Sequence, residues 1–253
     1  MKKIAIVTGA SSGLGAEFSR LLSEDSGLDE VWAFARRRDN LDRLAAAAKG
    51  ARIRPLAADL ASPEGVESLR SLLELERPDL RVLVLNAGRG SYGPFSDTAK
   101  DGILDMIDIN VRSLTETAKD ALPYLAAGSG MVLVASLAGM GPLGGRAVYA
   151  ATKAYVLSLG VALAAELRQR GIRVTTLCPG PVATEFAAVA SGGRVGPQDG
   201  SASPERIARR CLEDFAAGKV LSYGRLGWRL TAALMRLSGG YATARFSLKH
   251  LMR

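Results

Sequence analysis

The sequence predicts an α/β protein with one doubly wound parallel sheet and helices on both of its faces. Six short apolar runs alternate with stretches of helical periodicity, which is the pattern of successive strand–helix–strand units. Such units have right-handed crossovers, so helices cover both sides of a common sheet. No internal repeat or linker interrupts the 253 residues. We therefore expect a single domain.

The composition excludes several other classes of protein. The chain is 48% hydrophobic and 23% charged, as soluble globular proteins are. No continuous apolar run approaches the roughly 20 residues that span a bilayer, and no signal-peptide pattern follows Met1, which predicts a cytoplasmic protein. Two distant cysteines, Cys178 and Cys211, and one histidine, His250, are too few for a disulfide framework or a metal site. We expect two buried thiols and no metal.

The net charge of +8 is concentrated at one end of the chain. Residues 215–253 contain seven lysines and arginines and no acidic residue, so the rest of the chain is nearly neutral. No motif of alternating aromatic and basic residues accompanies this charge. The sequence therefore argues against nucleic acid as a partner.

The first apolar run, residues 4–7, leads into a glycine-rich loop and then a helical pattern. Backbone amides and a helix N-terminus at such a position can bind a phosphate. Gly9 suits a tight turn, Gly13 the close approach of a pyrophosphate, and Gly15 the packing of helix against strand. The predicted cofactor loop consists of Thr8, Gly9, Ser11, Ser12, Gly13, Leu14 and Gly15. A purely structural loop is the alternative.

A basic cluster follows the second run, residues 31–35. NAD-binding sheets place an acidic residue here against the ribose 2′-hydroxyl, but this sequence has Arg36, Arg37 and Arg38. Guanidinium groups hold a 2′-phosphate through charge-assisted bonds, so the cluster predicts NADP(H) as the cofactor, with Arg36 as the first candidate and Arg37 as the second. The alternative is a solvated basic loop before a helix that Asp39 caps.

The third run, residues 52–58, is followed by Asp59 and Leu60. Ligands of doubly wound sheets bind at the carboxyl ends of the strands, so both are candidate cofactor contacts. Asp59 can equally stabilise its own turn. Ser62, with a proline after it, predicts the N-cap of the next helix.

The fourth run, residues 81–85, is followed by three small or polar residues that allow close approach to a flat ring: Asn86, Ala87 and Gly88. A long helix is predicted over residues 98–126. It contains Asn110 among apolar neighbours, either as a satisfied core amide or as a polar group beneath the active site.

The last two runs, residues 131–135 and 172–177, are also followed by candidate site residues. Ser136 directly follows the first of these two runs. The second leads to four residues placed to contact the cofactor: Pro179, Gly180, Val182 and Thr184. The glycine- and serine-rich residues 191–203 predict a mobile loop close enough in sequence to act as a lid.

Tyr149 and Lys153 lie four positions apart in a predicted helix, so their side chains share one face. A free tyrosine has a pKa of about 10, and a nearby positive charge favours its phenolate and lowers that pKa. Such a tyrosine can donate or accept a proton. The alternative is an unrelated pair on a solvated helix face.

Taken together, these motifs resemble the short-chain dehydrogenase/reductase family over about residues 1–190. The glycine pattern, Asn86-Ala87-Gly88, Ser136, the Tyr149 and Lys153 pair and Pro179-Gly180 occur in the family's order and spacing. The resemblance implies a Rossmann-type fold, hydride transfer between a nicotinamide and a carbonyl or alcohol, and a homodimer or homotetramer. Residues 191–253 would complete the same domain as a loop and basic amphipathic helices.

The resemblance also implies roles for individual residues. Tyr149 would be the general acid or base, Lys153 would hold the nicotinamide ribose and lower the pKa of Tyr149, and Ser136 would bind the substrate oxygen. Asn110 would support a proton relay to Lys153. Asp59 would contact adenine, and Val182 and Thr184 would lie near the carboxamide. Leu85 and Ser12 depart from the family pattern, which leaves the NADP prediction to the arginine cluster.

The residues expected to line the substrate pocket are mostly apolar. They are Tyr92, Phe95, Met140, Pro142, Leu143, Val182 and Phe186, with Arg89 and Arg146 as the only charges. This composition favours an apolar ketone, aldehyde or 3-oxoacyl-type substrate. Several of these residues can instead belong to the core or to a subunit interface.

The basic tail has amphipathic spacing. Leu226, Leu230, Leu234 and Leu237 share one helical face, with Trp228 near its edge and Arg225, Arg229 and Arg236 around the remainder. After Gly239 and Gly240, a second segment sets Tyr241, Ala244, Leu248 and Leu251 against Arg245, Lys249 and Arg253. Such segments can lie on an anionic membrane surface, on a partner subunit or on their own domain.

Two functions from different classes fit the sequence. The first is an NADP(H)-dependent reductase or dehydrogenase. The second is a nucleotide-binding sensor whose basic tail contacts a membrane or a protein. The intact set of Asn110, Ser136, Tyr149 and Lys153 favours the enzyme, because a sensor needs no proton-transfer group.

Overall fold

The computed structural model describes residues 1–196 and 200–251 and confirms one doubly wound α/β sheet. Seven parallel strands lie in the order β3-β2-β1-β4-β5-β6-β7. The strands are β1 (Lys3–Thr8), β2 (Glu30–Ala35), β3 (Arg52–Ala57), β4 (Asp79–Leu85), β5 (Leu125–Val134), β6 (Arg173–Leu177) and β7 (Leu221–Ser222). The strand order reverses between β1 and β4, and a crevice opens at such a reversal.

Helices cover both faces of the sheet. They are α1 (Gly13–Ser23), α2 (Arg38–Ala46), α3 (Pro63–Glu76), α4 (Lys100–Ile107), α5 (Ser113–Ala121), α6 (Ala147–Glu166), α7 (Phe186–Ala190), α8 (Pro204–Ala216), α9 (Leu226–Leu237) and α10 (Gly240–Leu251). Strand side chains alternate between two cores: Ile4 and Ile6 pack with α3, α5 and α6, whereas Ala5 and Val7 pack with α1, α2 and α8.

The long helix predicted over residues 98–126 is interrupted. Helices α4 and α5 are separated by a π-helical segment, Asp108–Arg112, and α5 ends before the 3₁₀ turn Leu122–Tyr124. Pro123 lies in that turn, and a proline cannot continue the hydrogen-bond ladder of a helix. Strand β5 then begins at Leu125, earlier than predicted. The π segment carries Asn110 at its centre.

Two smaller predictions about helix starts have different outcomes. Ser62 caps α3 as predicted, because its hydroxyl accepts a hydrogen bond from the Gly65 amide at 3.1 Å. The cap predicted at Asp39 is wrong: α2 begins at Arg38, with Arg37 as N-cap and no side-chain cap. The Arg38 side chain reaches Asp42 at 2.9 Å and stabilises the first turn instead. Strand β7 was not predicted, since two residues carry no readable period.

Both cysteines are buried in the core, as predicted. Cys178 and Cys211 are fully enclosed and unpaired. Burial raises the pKa of Cys178 to about 12 and also raises the pKa of Cys211, so both thiols stay protonated. Within the described ranges, no three histidine, cysteine, aspartate or glutamate side chains are grouped to hold a metal ion.

Of the described helices, α6 alone is long and apolar enough to cross a membrane by length and composition. It is a layer of the domain: it contacts β6 and β5, and Tyr149, Lys153, Val156 and Gly160 lie on its buried face. Its apolar character therefore reflects its place against the sheet.

The leucine face of α9 does not pack on its own domain, which was one of the three possibilities for the tail. Helix α9 turns Trp228, Ala232 and Met235 inward, and the four leucines face away from the domain with 59–84% of their surface exposed. The predicted positions Arg253 and the Leu251 side chain lie outside the described residues, as do residues 197–199 of the predicted lid loop.

We expect Gly15→Ala to destabilise the fold, because an added Cβ would lie 2.1 Å from the Gly9 carbonyl oxygen where α1 packs against the end of β1. Overpacking of this kind costs about 1–3 kcal/mol. Gly102→Ala is the matched control, since its Cβ would meet nothing within 4 Å and alanine favours the helix by up to about 1 kcal/mol. Urea unfolding of both variants measures the difference, and equal stabilities would contradict the packing role of Gly15.

Candidate active site

The carboxyl ends of β1, β4, β5 and β6 bring the predicted site residues to one edge of the sheet. The Thr8 hydroxyl accepts hydrogen bonds from the Asn86 and Ala87 amides at 3.0 Å, and the Asn86 side chain donates to the Thr8 carbonyl at 2.9 Å. These bonds join the ends of β1 and β4 at the reversal of strand order. Thr8 is buried, so it shapes the cofactor loop from beneath.

Lys153 is held in the protein interior. Its side chain is buried and its ammonium donates a hydrogen bond to the Val134 carbonyl at 2.8 Å, near the end of β5. Burial lowers the pKa of Lys153 to about 8, because desolvation penalises the charged form. A Cβ on Gly88 would lie 3.4 Å from its Nζ atom, so Lys153 adjoins the loop after β4.

Tyr149 lies one helical turn before Lys153 and is also buried. Burial raises the pKa of Tyr149 to about 12, and the neighbouring Ser136 hydroxyl acts in the opposite direction. The lowering by Lys153 that the resemblance implied is not present in this structure, because desolvation dominates and the Lys153 ammonium bonds to Val134. At neutral pH the phenol is protonated and is therefore a proton donor.

Ser136 is oriented by the loop that follows β5. Its side chain accepts a hydrogen bond from the Ala138 amide at 3.1 Å and lies 3.5 Å from the Pro179 carbonyl. Pro179 also accepts the Leu137 amide at 2.9 Å, which ties the loops after β5 and β6 together. The serine is thereby fixed beside the phenol of Tyr149.

Asn110 is a satisfied core amide, which was one of the two interpretations of its position. Its amide group is fully buried, accepts the Arg89 amide at 2.9 Å and donates to the Arg89 carbonyl at 2.9 Å. It also donates to the Thr152 hydroxyl at 3.0 Å, on the helix that carries Tyr149 and Lys153. Asn110 is thus a satisfied amide that connects the π segment to the active-site helix. Thr152 was not predicted; its position inside the Tyr149–Lys153 spacing was the available signal.

Two glycines of the predicted cofactor loop have left-handed backbone conformations. Gly9 and Gly13 have φ values of +67° and +54°, which side chains rarely adopt. Ser12 is the N-cap of α1, but its hydroxyl makes no cap and donates instead to Glu185 at 2.7 Å. A Cβ on Gly13 would lie 2.9 Å from the Thr184 side chain, so the loop after β6 closes over the glycine loop.

The two candidate arginines after β2 are exposed at the same edge. Arg36 lies 4.0 Å from Asp59, whose other oxygen accepts the Ala61 amide at 3.1 Å. Asp59 therefore stabilises its own turn and faces the arginine. Arg37 contacts the hydroxyls of Ser11 and Ser12 at 3.2 Å and 2.8 Å.

Glu185 is a site residue that sequence reasoning missed. Its carboxylate forms an ion pair with Arg37 through both oxygens and accepts the Ser12 hydroxyl. The hydrogen bond from Arg37, followed by that from Ser12, lowers the pKa of Glu185, so the group is ionised at neutral pH. Its position directly after Thr184 was the only signal in the sequence.

Other predicted cofactor residues have structural contacts of their own. Leu60 is buried and, together with Ala87, lines a small cavity. A Cβ on Gly180 would lie 2.6 Å from the Trp228 ring, so this glycine makes room for α9. Val182 packs with the core on the α8 side and pairs with Ala202.

The predicted pocket is assembled only in part. Phe186 packs on Tyr149 with ring centroids 5.8 Å apart, and Leu143 belongs to the same apolar cluster. Met140 is buried, and Tyr92 stacks under the Arg146 guanidinium at 3.7 Å. The pocket prediction is not supported for Phe95, Pro142 and Val182. Phe95 is 65% exposed on a 3₁₀ turn, Pro142 is exposed against Gly240, and Val182 faces the core. Arg89 is paired with Asp105 at 2.7 Å.

The residues present fit a nicotinamide dinucleotide. The positive-φ glycines Gly9 and Gly13 lie at the α1 N-terminus, a position that can bind a pyrophosphate. Arg36 and Arg37 would hold the adenosine ribose, and the buried Lys153 and Tyr149 would lie at the nicotinamide. The donor set therefore matches both ends of such a cofactor.

Comparison with known proteins agrees with this geometry. The family model for short chain dehydrogenases matches residues 3–193. An uncharacterized oxidoreductase of Staphylococcus aureus (strain MRSA252) is 32% identical over 188 residues, which is 74% of this chain and 80% of the relative.

Two similar solved structures cover nearly the whole chain. A short-chain dehydrogenase from Sphingobium yanoikuyae in complex with NADPH has a TM-score of 0.81 and 27% identity, over 91% of both chains. The bulky-bulky ketone specific alcohol dehydrogenase from Comamonas testosteroni has a TM-score of 0.76 and 25% identity, over 94% of this chain and 93% of that one. The chain belongs to the short-chain dehydrogenase family of nicotinamide-dependent oxidoreductases.

Proposed function

We propose that this protein is an NADP(H)-dependent reductase of apolar ketones, aldehydes or 3-oxoacyl-type compounds. The observation that supports this most is the buried, protonated Tyr149 beside Ser136, one turn from Lys153. A protonated phenol in a dry site is the donor that a newly formed alkoxide requires. The bound nicotinamide would supply the hydride, and the protein would supply the proton and the geometry.

Each of the four site residues has a specific role in this proposal. Tyr149 would donate its phenolic proton to the substrate oxygen, and Ser136 would hydrogen-bond the same oxygen as charge develops on it. Lys153 would hold the ribose hydroxyls through an ammonium already anchored to Val134. Asn110 would keep Thr152, and with it the first turns of α6, in register with the π segment.

The preference for NADP(H) rests on Arg36 and Arg37. Both guanidinium groups lie exposed at the end of β2, and Arg37 also reaches the glycine loop. Either can bind a 2′-phosphate through charge-assisted bonds. Similar structures were solved with NADPH and with NAD, so the preference depends on these two side chains alone.

The preference for an apolar substrate rests on the surroundings of Tyr149. Phe186, Leu143 and Met106 form one cluster with it, and Gly90 lies against the Phe186 ring. The similar enzyme from C. testosteroni is specific for bulky-bulky ketones, which agrees with a pocket of this character. We propose further that the protein acts in the cytoplasm as a homodimer or homotetramer. The sensor alternative gains no support.

We expect Tyr149→Phe to lower kcat for ketone reduction by at least about 100-fold, because the variant keeps the ring but loses the proton donor. Tyr155→Phe is the matched control: it lies on the same helix, is 38% exposed and bonds to Thr115. NADPH oxidation over a series of ketones from small polar to large apolar measures both variants, and fluorescence titration checks that NADPH still binds. Full activity in Tyr149→Phe would contradict the proposed mechanism.

We expect kcat/KM for reduction to fall as pH rises through about 8, where Lys153 loses its charge. Tyr149, with a pKa of about 12, keeps its proton over this range and does not cause the fall. In Lys153→Arg the guanidinium stays charged, so the fall should move to higher pH. The pH profile of both proteins tests this, with NADPH binding measured alongside. An unchanged profile in the variant would assign the fall to another group.

We expect Glu185→Gln to tighten NADPH binding about three- to tenfold and to leave NADH binding unchanged. The substitution removes the carboxylate that pairs with Arg37, which frees the guanidinium for a 2′-phosphate. Glu166→Gln, at the exposed end of α6, is the matched control. Calorimetric titration with both cofactors measures the ratio. An equal change for NADPH and NADH would show that Arg37 does not discriminate between them.

A further inference from the structure

Helix α9 exposes a continuous apolar face to solvent. Leu226, Leu230, Leu234 and Leu237 are 81%, 64%, 59% and 84% exposed. Their spacing places them on one side of the helix, opposite Trp228, Ala232 and Met235. Four neighbouring exposed leucines form a patch of the kind that marks an interaction surface, whereas scattered ones do not.

Helix α10 is anchored to the domain through the loop before α6. The Ser247 hydroxyl donates to the Gly144 carbonyl at 3.2 Å, and a Cβ on Gly144 would lie 2.8 Å from Leu248. Its Tyr241 and Phe246 side chains are 78% and 66% exposed. Helix α10 therefore exposes apolar side chains of its own.

Arginine and lysine side chains lie on the same two helices as the exposed apolar residues. At about 3.6 residues per turn, Arg229 and Arg236 lie between the leucines and the buried side of α9. Arg225 precedes the helix, and its guanidinium donates to the Gly200 carbonyl at 3.0 Å. Arg245 and Lys249 add two charges on α10. In the part of the chain that the structure describes, Arg229, Arg236, Arg245 and Lys249 have no carboxylate within 4.0 Å.

The charge pattern decides which occupant fits this surface. In a two-fold contact between copies, the same patch meets itself, so the arginines of the two copies would approach each other. Residues 215–253 contain no acidic residue to compensate them. An anionic bilayer offers both complements at once: phosphate groups for the cations and acyl chains for the leucines.

We propose that α9 and α10 form a docking surface for an anionic membrane. The four leucines enter the acyl boundary, and Arg229, Arg236, Arg245 and Lys249 contact the lipid phosphates. Helix α9 packs on the 3₁₀ turn Leu137–Met140, which directly follows Ser136. A docked protein would therefore hold this side of its active site close to the bilayer.

The test is sedimentation of the full chain with vesicles of phosphatidylcholine alone and of phosphatidylcholine with about one-third phosphatidylglycerol. We expect binding to the anionic vesicles only, weakened as salt rises from about 0.05 M to about 0.5 M, because surface charges are then screened. Leu230→Ser should weaken binding at least about fivefold, since a buried leucine contributes more than that factor. Arg229→Gln combined with Arg236→Gln should weaken it and reduce its salt dependence.

Matched controls separate the proposal from general effects. Leu75→Ser removes a leucine that is 80% exposed on α3, and Arg168→Gln removes an exposed arginine beyond α6; neither should change vesicle binding. Circular dichroism and NADPH binding check that each variant is folded. Equal binding to both vesicle types would overturn the proposal, as would equal losses for Leu75→Ser and Leu230→Ser. Self-association that Leu230→Ser abolishes, without vesicle binding, would assign the surface to a second copy of the chain.

Discussion

The hydrogen bond from the Lys153 ammonium to the Val134 carbonyl constrains much of this site. A buried ammonium without a partner would be costly, and burial alone lowers the pKa of Lys153 to about 8. The bond fixes α6 against the end of β5, and therefore fixes Tyr149 relative to Ser136, which follows the same strand. Asn110 bonds to Thr152, which precedes Lys153 on the buried part of the helix. The helix that carries Tyr149 is thus bonded to both the end of β5 and the π segment.

At the other end of the crevice, the two arginines after β2 are held by exposed ion pairs. Arg36 and Arg37 face carboxylates, at Asp59 and Glu185. These pairs are exposed and individually weak, so the 2′-phosphate of the proposed NADP(H) could displace them. Glu185 also joins the segment after β6 to the glycine loop through Ser12. Exchange of this carboxylate for a phosphate would couple cofactor binding to the position of α7 and Phe186.

Sequence patterns predicted the sheet and its edge well. Buried parallel strands are continuous apolar runs, so the predicted bounds of β1, β2 and β4 nearly match the observed ones. Such strands bring their carboxyl ends together, and two pairs of site residues do meet at this edge. Asn86 bonds to Thr8, and Ser136 adjoins Tyr149 of α6. The break at Asp108–Arg112 was missed, since a π segment has the same composition as a helix.

Contacts between distant segments could not be read from the chain. The pairing of Glu185 with Arg37 spans 148 positions and has no local period. Phe95 and Pro142 were predicted for the pocket from their nearness in sequence to site residues, but nearness does not determine which way a loop turns a side chain. The direction of the Tyr149 pKa shift was missed for a related reason: burial, a tertiary property, outweighs the charge expected from helical spacing.

For the C-terminal tail, the sequence predicted the apolar face but not its surroundings. Amphipathic spacing identified the leucine face of α9 but left open what it faces, because a helix can bury either side. The structure shows that the opposite side, with Trp228 and Ala232, packs on the domain. Trp228 fits only because Gly180 has no side chain, so the loop after β6 contacts α9 at Gly180 and the Ser136 turn at Pro179. A change in α9 would therefore reach Ser136 through this loop rather than through the sheet.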